Sequence, residues 1–394
     1  MPSCVIIVEN LSVPFDRRVW QEAQALRSLG WEVSVICPTN QKNLRRYELL
    51  EEITIYRHPL PMEARYKLGF LFEYGAALFH EARLLFKIAL TRGFDIIQVC
   101  NPPDLLFVNA LPYKLFGKRL VFDHHDLCPE LFAAKFARKG LLHRILLLAE
   151  RLTIKSADIV ISANETFRNI AITRCGKSPQ DVITVYSVPD RMQIKRLLPN
   201  QELRKGARVV LGYIGIISDQ DGVDHFVRML HHLVVDHSCQ GIGAVIVGEG
   251  PALPGVRQLA CDLNLEKQIT FTGYLRGDDL LAALSTFDIG IIPDPVNEYN
   301  DKISMNKVFE YSALGVPTVA YNLSETRQLL GATAEYADDA TPAGLARACL
   351  RLIIDDDERA ERGRAAKALA DEHFDWARER AKYVAAYQRL IRAR

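Results

Sequence analysis

The chain has 394 residues, enough for two domains of ordinary size. Hydrophobic residues make up 49% and charged residues 25%, the balance of a soluble globular protein, and a net charge of +1 argues against a general nucleic-acid binder. No apolar run approaches the ~18 residues that span a bilayer; the nearest, Leu141–Ala149, is interrupted by His143 and Arg144.

From the N-terminus, Met1-Pro2-Ser3-Cys4 runs straight into a strand pattern, which predicts no signal peptide and a cytoplasmic protein. Short β-branched runs then predict strands at Cys4–Val8, Val33–Cys37, Ile53–Arg57, Asp95–Cys100, Arg119–Asp123, Asp158–Ser162 and Val182–Tyr186. Helical patterns lie between most of them. The clearest, through Leu68, Leu71, Phe72, Gly75, Leu78, Phe79, Ala82, Leu85, Phe86 and Ala89, keeps a three-four spacing. The pattern restarts near Gly206, with strands predicted at Val209–Ile214, Ala244–Val247, Ile269–Thr272, Ile289–Ile292 and Pro317–Tyr321. Pro189 and Pro199 punctuate the polar stretch between the halves. Continuous apolar strands alternating with helices predict parallel sheets covered on both faces. The expected architecture is α/β, two doubly wound Rossmann-like parallel-sheet domains facing across a cleft, with ligands outside the carboxyl ends of the strands. Phe374–Arg394 reads as a closing helix. The eight cysteines form no Cys-x-x-Cys pair, which predicts free thiols, several of them buried, and no zinc site.

The most informative stretch runs from Ser304 to Ala320. It predicts one short helix, capped by Ser304 and ended by a left-handed turn at Gly315, followed by a buried strand. Lys307 and Glu310, three apart, share a face near the helix N-terminus. That terminus offers N–H groups and positive dipole to a phosphate, with Lys307 adding charge and Glu310 placed to accept from sugar hydroxyls. In isolation such a Lys-x-x-Glu is more often an ordinary surface pair. Further back, Asp123-His124-His125-Asp126 follows a predicted strand, putting two histidines at its carboxyl end. Two histidines alone are too few ligands for a metal.

These segments resemble the family-4 retaining glycosyltransferases of the GT-B fold. Ser304–Ala320 is similar to the donor-site signature of that family. Asp16–Leu26 with Gly30–Val33 is similar to its first helix and second strand, and the Val13–Arg18 loop resembles a bacterial polysaccharide-building subgroup. Gly212–Val223, Val247–Pro251 and Thr272–Arg276 resemble the loops that face the donor. The chain departs from the usual pattern by Ile216 and Asp221, where most relatives place a phosphate-binding Arg and Lys. It departs again by Lys302, where many carry a first Glu.

The resemblance implies an acceptor-side domain over 1–188, a nucleotide-sugar-binding domain over 189–372 and a helix over 373–394 crossing back to the first. It implies transfer of a sugar from a nucleoside diphosphate donor, UDP-linked by preference, to a hydroxyl acceptor, with the nucleotide sugar a substrate and neither cofactor nor metal. His125, Asp126 and Lys307 are the expected catalytic residues. Donor binding is expected from Arg17, Gly215, Ile217 and Gly248, from Tyr274 and Leu275, and from Asp301, Lys302, Ser304, Met305, Asn306, Lys307 and Glu310. Basic residues Lys135, Arg138, Lys139, His143 and Arg144 interleave with Phe132, Phe136, Leu141 and Leu142. They point to a peripheral contact with anionic lipid through 132–146; together with the resemblance this favours a lipid-linked glycan acceptor in exopolysaccharide or O-antigen assembly at the inner membrane face, with a small soluble acceptor as the other reading. A catalytically silent nucleotide-sugar binder is the alternative. A nicotinamide oxidoreductase is a weaker one, because no Gly-x-Gly-x-x-Gly follows the first strand.

Overall fold

The computed structural model describes residues 1–40, 44–59, 67–136 and 139–392, with side chains of the helix begun at Lys67 described from Gly75 onward. The chain divides into two compact units. Unit 1 is Met1–Ser187 with Arg378–Arg394, and unit 2 is Val188–Ala377.

Unit 1 runs β1 (Ser3–Val8), α1 (Arg17–Arg27), β2 (Glu32–Pro38), β3 (Tyr47–Leu50), β4 (Ile53–His58), α2 (Lys67–Thr91), β5 (Ile96–Cys100), α3 (Phe107–Lys114), β6 (Arg119–His124), α4 (Cys128–Phe136), α5 (Leu141–Ser156), β7 (Ile159–Ser162), α6 (Glu165–Thr173) and β8 (Val182–Thr184). The strands form one sheet in the order β3-β4-β2-β1-β5-β6-β7-β8. All pairs are parallel except β3 with β4. Side chains alternate across the sheet with a period of two. Val5 and Ile7, Ile97 and Val99, Leu120 and Phe122 therefore share one face, where they pack against Leu84, Leu85 and Ile88 of α2, Phe107 and Ala110 of α3, Ile154 of α5 and Ala171 of α6. Gln98, between Ile97 and Val99, belongs to the opposite face.

Unit 2 continues with α7 (Gln201–Arg204), β9 (Val209–Ile214), α8 (Val223–Val235), β10 (Ile242–Val247), α9 (Leu253–Asp262), β11 (Ile269–Gly273), α10 (Gly277–Leu284), β12 (Ile289–Ile292), α11 (Asn306–Ala313), β13 (Thr318–Ala320), α12 (Ser324–Leu330), β14 (Ala334–Tyr336), α13 (Pro342–Ile354) and α14 (Asp356–His373). Its sheet has the order β11-β10-β9-β12-β13-β14 and is parallel throughout. The last helix, α15 (Trp376–Arg392), carries Tyr383 and Tyr387, whose hydroxyls both donate to Gln98 Oε1 within unit 1.

β3 and β14 are additions to the expected strands. The first is an exposed edge ribbon with Glu48 in its middle, the second a three-residue edge strand, and neither has the continuous apolar run of a buried strand. The cysteines are unpaired, with Cys4, Cys37, Cys100, Cys175 and Cys349 buried and Cys261 exposed. Among the described residues no helix is long and apolar enough to cross a membrane.

Candidate active site

In unit 2 the loops after β9, β10 and β11 are welded by backbone contacts. Gly215 N–H donates to Val247 O (3.1 Å), Ile217 N–H to Glu249 O (3.0 Å) and Gly248 N–H to Gly273 O (3.0 Å). Gly248 has φ of 143°, and a Cβ there would lie 1.9 Å from the carbonyl oxygen of Gly215. Only glycine allows both that conformation and that approach. Ile217 is fully buried with its N–H taken, so it supports the loop and offers no side chain to a ligand, while its neighbour Ile216 is 58% exposed. Tyr274, exposed, donates its N–H to Glu249 Oε1 at 3.4 Å, and Leu275 beside it is half-buried.

Helix α11 begins one residue later than the sequence suggests. Its N-cap is Met305, extended at φ −72° and ψ 132° and buried. Ser304 is no cap, because its hydroxyl donates to Glu325 of α12 at 2.7 Å. Asp301 accepts from Ser324 N–H at 2.7 Å and so fixes the start of α12. Lys302 lies 3.2 Å from Glu298. Asn306 is exposed in the first turn and Glu310 half-buried one turn on. Gly315 has φ of 63°, with Val316 N–H returning to Tyr311 O, the expected left-handed helix end.

Lys307 differs most from expectation. Its side chain is 7% exposed and its ammonium donates to both oxygens of Asp294, at 2.9 and 2.6 Å, over the ring of Tyr213. Burial pushes the Asp294 carboxyl up to about 6 against the pull of Lys307. The lysine charge is therefore already matched inside the protein by Asp294. Asp221, the other departure from the family pattern, forms a capping box with Ser218 and so shapes the loop after β9.

In unit 1 the two adjacent histidines have different fates. His124 is the last residue of β6, paired in register with Ser162, and is fully buried between the rings of Phe122 and Phe167. Burial pushes its imidazole down to about 3, so it is neutral. Both histidines lie at the carboxyl end of the strand as expected, but the alternation of the strand sends His124 inward. His125, half-buried, sits 2.5 Å from Asp123 through Nε2. Burial alone would raise the Asp123 carboxyl, but Arg18 and His125 hold it well below the usual carboxylate range. Arg18 binds both oxygens of Asp123, at 3.2 and 2.7 Å, and Val185 O at 2.7 Å, so it is engaged inside unit 1. Arg17 reaches Ser187 O at 3.2 Å. Asn101 binds the following loop from below: Oδ1 accepts from the N–H groups of His125 and Asp126, and Nδ2 donates to Asp126 O.

Sequence reading missed Asp123, Asn101 and Asp294 as the groups that orient His125, Asp126 and Lys307. Each was visible as a polar residue next to a strand end. What it holds was not.

Two α/β units with a mainly parallel sheet in each, and glycine-shaped loops at strand ends, define a two-domain α/β protein. Two family models match the chain, one described as Glycosyltransferase Family 4 over residues 16–188 and one as Glycosyl transferases group 1 over 208–355. The chain belongs to family 4 of the glycosyltransferases, has the GT-B fold and is a transferase. It is 22% identical over 278 residues to the 2-deoxystreptamine glucosyltransferase of Streptomyces kanamyceticus, covering 66% of this chain and 68% of that one. It is 29% identical over 183 residues to the GDP-mannose-dependent alpha-(1-6)-phosphatidylinositol monomannoside mannosyltransferase of Mycobacterium tuberculosis, 44% of this chain and 47% of the relative. Among solved structures, sucrose-phosphate synthase from Thermosynechococcus elongatus superposes with a TM-score of 0.81 at 15% identity over 100% of both chains. Anabaena HepE in complex with UDP and glucose does so at 0.73 and 16% identity, covering 98% of this chain and 100% of that one. The structural likenesses speak for the fold.

Proposed function

We propose that the enzyme moves a sugar from a UDP-sugar to a hydroxyl of a lipid-linked glycan, with retention at the anomeric carbon and without metal at the donor, in bacterial exopolysaccharide or O-antigen assembly. The donor end rests on unit 2. There the diphosphate lies against the loop at Gly215 and Gly248 and the open N-terminus of α11, where backbone N–H groups and dipole stabilise the leaving group. Glu310 accepts from the ribose hydroxyls, and Tyr274 and Leu275 border the base. Asp301, Lys302, Ser304, Met305 and Asn306 line the approach to α11. His125, aligned by Asp123, orients the transferred sugar, with Asp126 beside it. The departing phosphate receives the acceptor proton, as is usually proposed for this family. The UDP preference draws on HepE, whose structure contains UDP, while the mycobacterial relative is named for GDP-mannose.

The observation that carries the acceptor is the outer face of the unit 1 helices. Phe79, Phe86 and Leu90 on α2, Val108 and Leu111 on α3 with Leu115 and Phe116 just beyond, and Leu141, Leu142, Ile145, Leu148 and Leu152 on α5 are all exposed. The α5 residues are spaced along one stripe, and α2 and α5 both pack beside α3. The exposed charges among them are basic: Arg83, Lys87, Arg144, Arg151 and Lys155. Among the described side chains, the acids of these helices, Glu81 and Glu150, are buried. An apolar and basic plane of this kind suits a peripheral contact with anionic lipid. It extends the 132–146 segment across three helices; Arg138 of that segment lies outside the described residues. The mycobacterial relative is likewise named for a lipid, phosphatidylinositol monomannoside.

The test is a matrix of UDP-, GDP- and dTDP-sugars against lipid extract and a water-soluble glycan fraction. Transfer from a UDP-sugar to lipid extract is the expected result. Transfer confined to the soluble fraction would overturn the acceptor, and transfer from GDP-sugars alone would overturn the donor base.

A further inference from the structure

Glu9 follows β1, His58 ends β4, and Glu81 lies on α2, all within unit 1. Each is at least 95% buried: Glu9 is 5% exposed, His58 1% and Glu81 0%. A Glu9 carboxylate oxygen, a His58 ring nitrogen and a Glu81 carboxylate oxygen lie within 4.8 Å of one another. Glu9 Oε2, His58 Nε2 and Glu81 Oε1 are buried without a hydrogen-bond partner among the described residues. His58 Nε2 and Glu9 Oε2 are 3.1 Å apart, yet no hydrogen bond joins them. His58 Nδ1 is 3.2 Å from Pro59 O, and a carbonyl only accepts, so Nδ1 carries the hydrogen. Nε2, on the other side of the ring, faces the Glu9 carboxylate.

Three electron-pair donors thus converge in a space closed to water, with two formal negative charges between them. Such groups are not left unmatched in a protein interior. A proton shared by the two glutamates would match one of the two charges. We propose that Glu9, His58 and Glu81 hold one divalent cation of borderline hardness, Zn(II) or Mn(II). Two carboxylates and one neutral imidazole balance a charge of two, and the mixture of one nitrogen with two oxygens suits these ions better than Ca(II) or a soft monovalent metal. Outer contacts of the usual kind are present. Asn109 Nδ2 lies 3.4 Å from Glu81 Oε2, and the ring of His80 stacks on His58 at 6.0 Å and 12°. The ion would tie β1, β4 and α2 together. It takes no part in donor chemistry, which belongs to unit 2, so the absence of metal at the donor and its presence here are compatible.

The untagged full chain, purified and dialysed, is assayed for metal by plasma mass spectrometry and for melting temperature with and without chelator. About one equivalent of Zn or Mn is expected, and restoring the ion after EDTA should raise the melting temperature by about 5 °C. Glu81→Gln and Glu9→Gln should each lower the affinity by about tenfold or more while retaining the circular dichroism of the parent. UDP affinity should be the same with and without the ion, which separates failure here from failure of the donor reading. A metal-free chain whose melting temperature ignores both ions would overturn the proposal, as would a full equivalent retained by Glu81→Gln. If the variants do not fold, the metal content and chelator response of the parent chain decide.

Discussion

The two units share a fold pattern and present different outer surfaces. In unit 2 the large hydrophobic side chains that reach solvent are scattered: Met192, Leu198, Ile216, Val235, Tyr274, Val296 and Ile354. In unit 1 they concentrate on the outer sides of α2, α3 and α5, among arginines and lysines. Both sheets need only the inner stripe of each helix for a core, so the outer stripe of unit 1 is not demanded by folding. The interiors differ in the opposite sense. Unit 1 aligns its candidate histidine with a buried charged chain, Arg18–Asp123–His125, whereas unit 2 shapes its candidate donor loops with glycine and one buried ion pair.

The sharpest way to break this comparison is at that pair. Lys307→Ala strands the Asp294 carboxylate in a dry interior, and denaturant unfolding should show a loss of about 3–5 kcal/mol. A loss below about 1 kcal/mol, the level of a surface pair, would mean the two residues are solvated. Gly248→Ala forces a Cβ against Gly215 O at a φ of 143° and should cost about 1–3 kcal/mol, with a larger loss in nucleotide affinity. Parent-like stability and UDP binding would remove the reason given for the glycine.

On unit 1, Ile145→Glu with Leu148→Glu should weaken association with phosphatidylglycerol vesicles about tenfold, or about 1.4 kcal/mol, at unchanged melting temperature. Unchanged vesicle co-sedimentation would return the helix face to ordinary surface. The smallest effect concerns His124. Its folded value of about 3 lies below the ordinary 6.5. The stability tied to its neutral ring is therefore complete above pH 6.5 and is lost progressively as pH falls toward 3, because the unfolded chain takes up the proton first. His124→Phe should flatten the stability–pH curve over that window with little change at pH 7. A slope equal to that of the parent would show that another group governs acid sensitivity.

The sequence shows the central strands and helices plainly, because a strand buried on both faces reads as a continuous apolar run. Tyr47–Leu50 and Ala334–Tyr336 escape this reading as edge strands, one of them antiparallel and polar in its middle. At the candidate site the loops are legible from their motifs, but the partners are not. Asp294 and Lys307 are 13 residues apart, Arg18 and Asp123 are 105 apart, and no spacing rule joins them. Ser304 illustrates a local limit. A serine two residues before a helix looks like a cap, and only the position of Glu325 shows that its hydroxyl is already bonded elsewhere. His124 and His125 are alike as letters, and the last step of strand alternation separates them.

The central claim is that the start of α11 with Glu310 receives a nucleoside diphosphate. Calorimetric titration of UDP, GDP and ADP into the parent chain and into Glu310→Ala tests it directly. The account predicts selective binding of UDP by the parent and a loss of about tenfold or more in the variant, as expected when hydrogen bonds to a charged group are removed. Equal affinity in the two proteins, or no nucleotide binding by the parent, would contradict it.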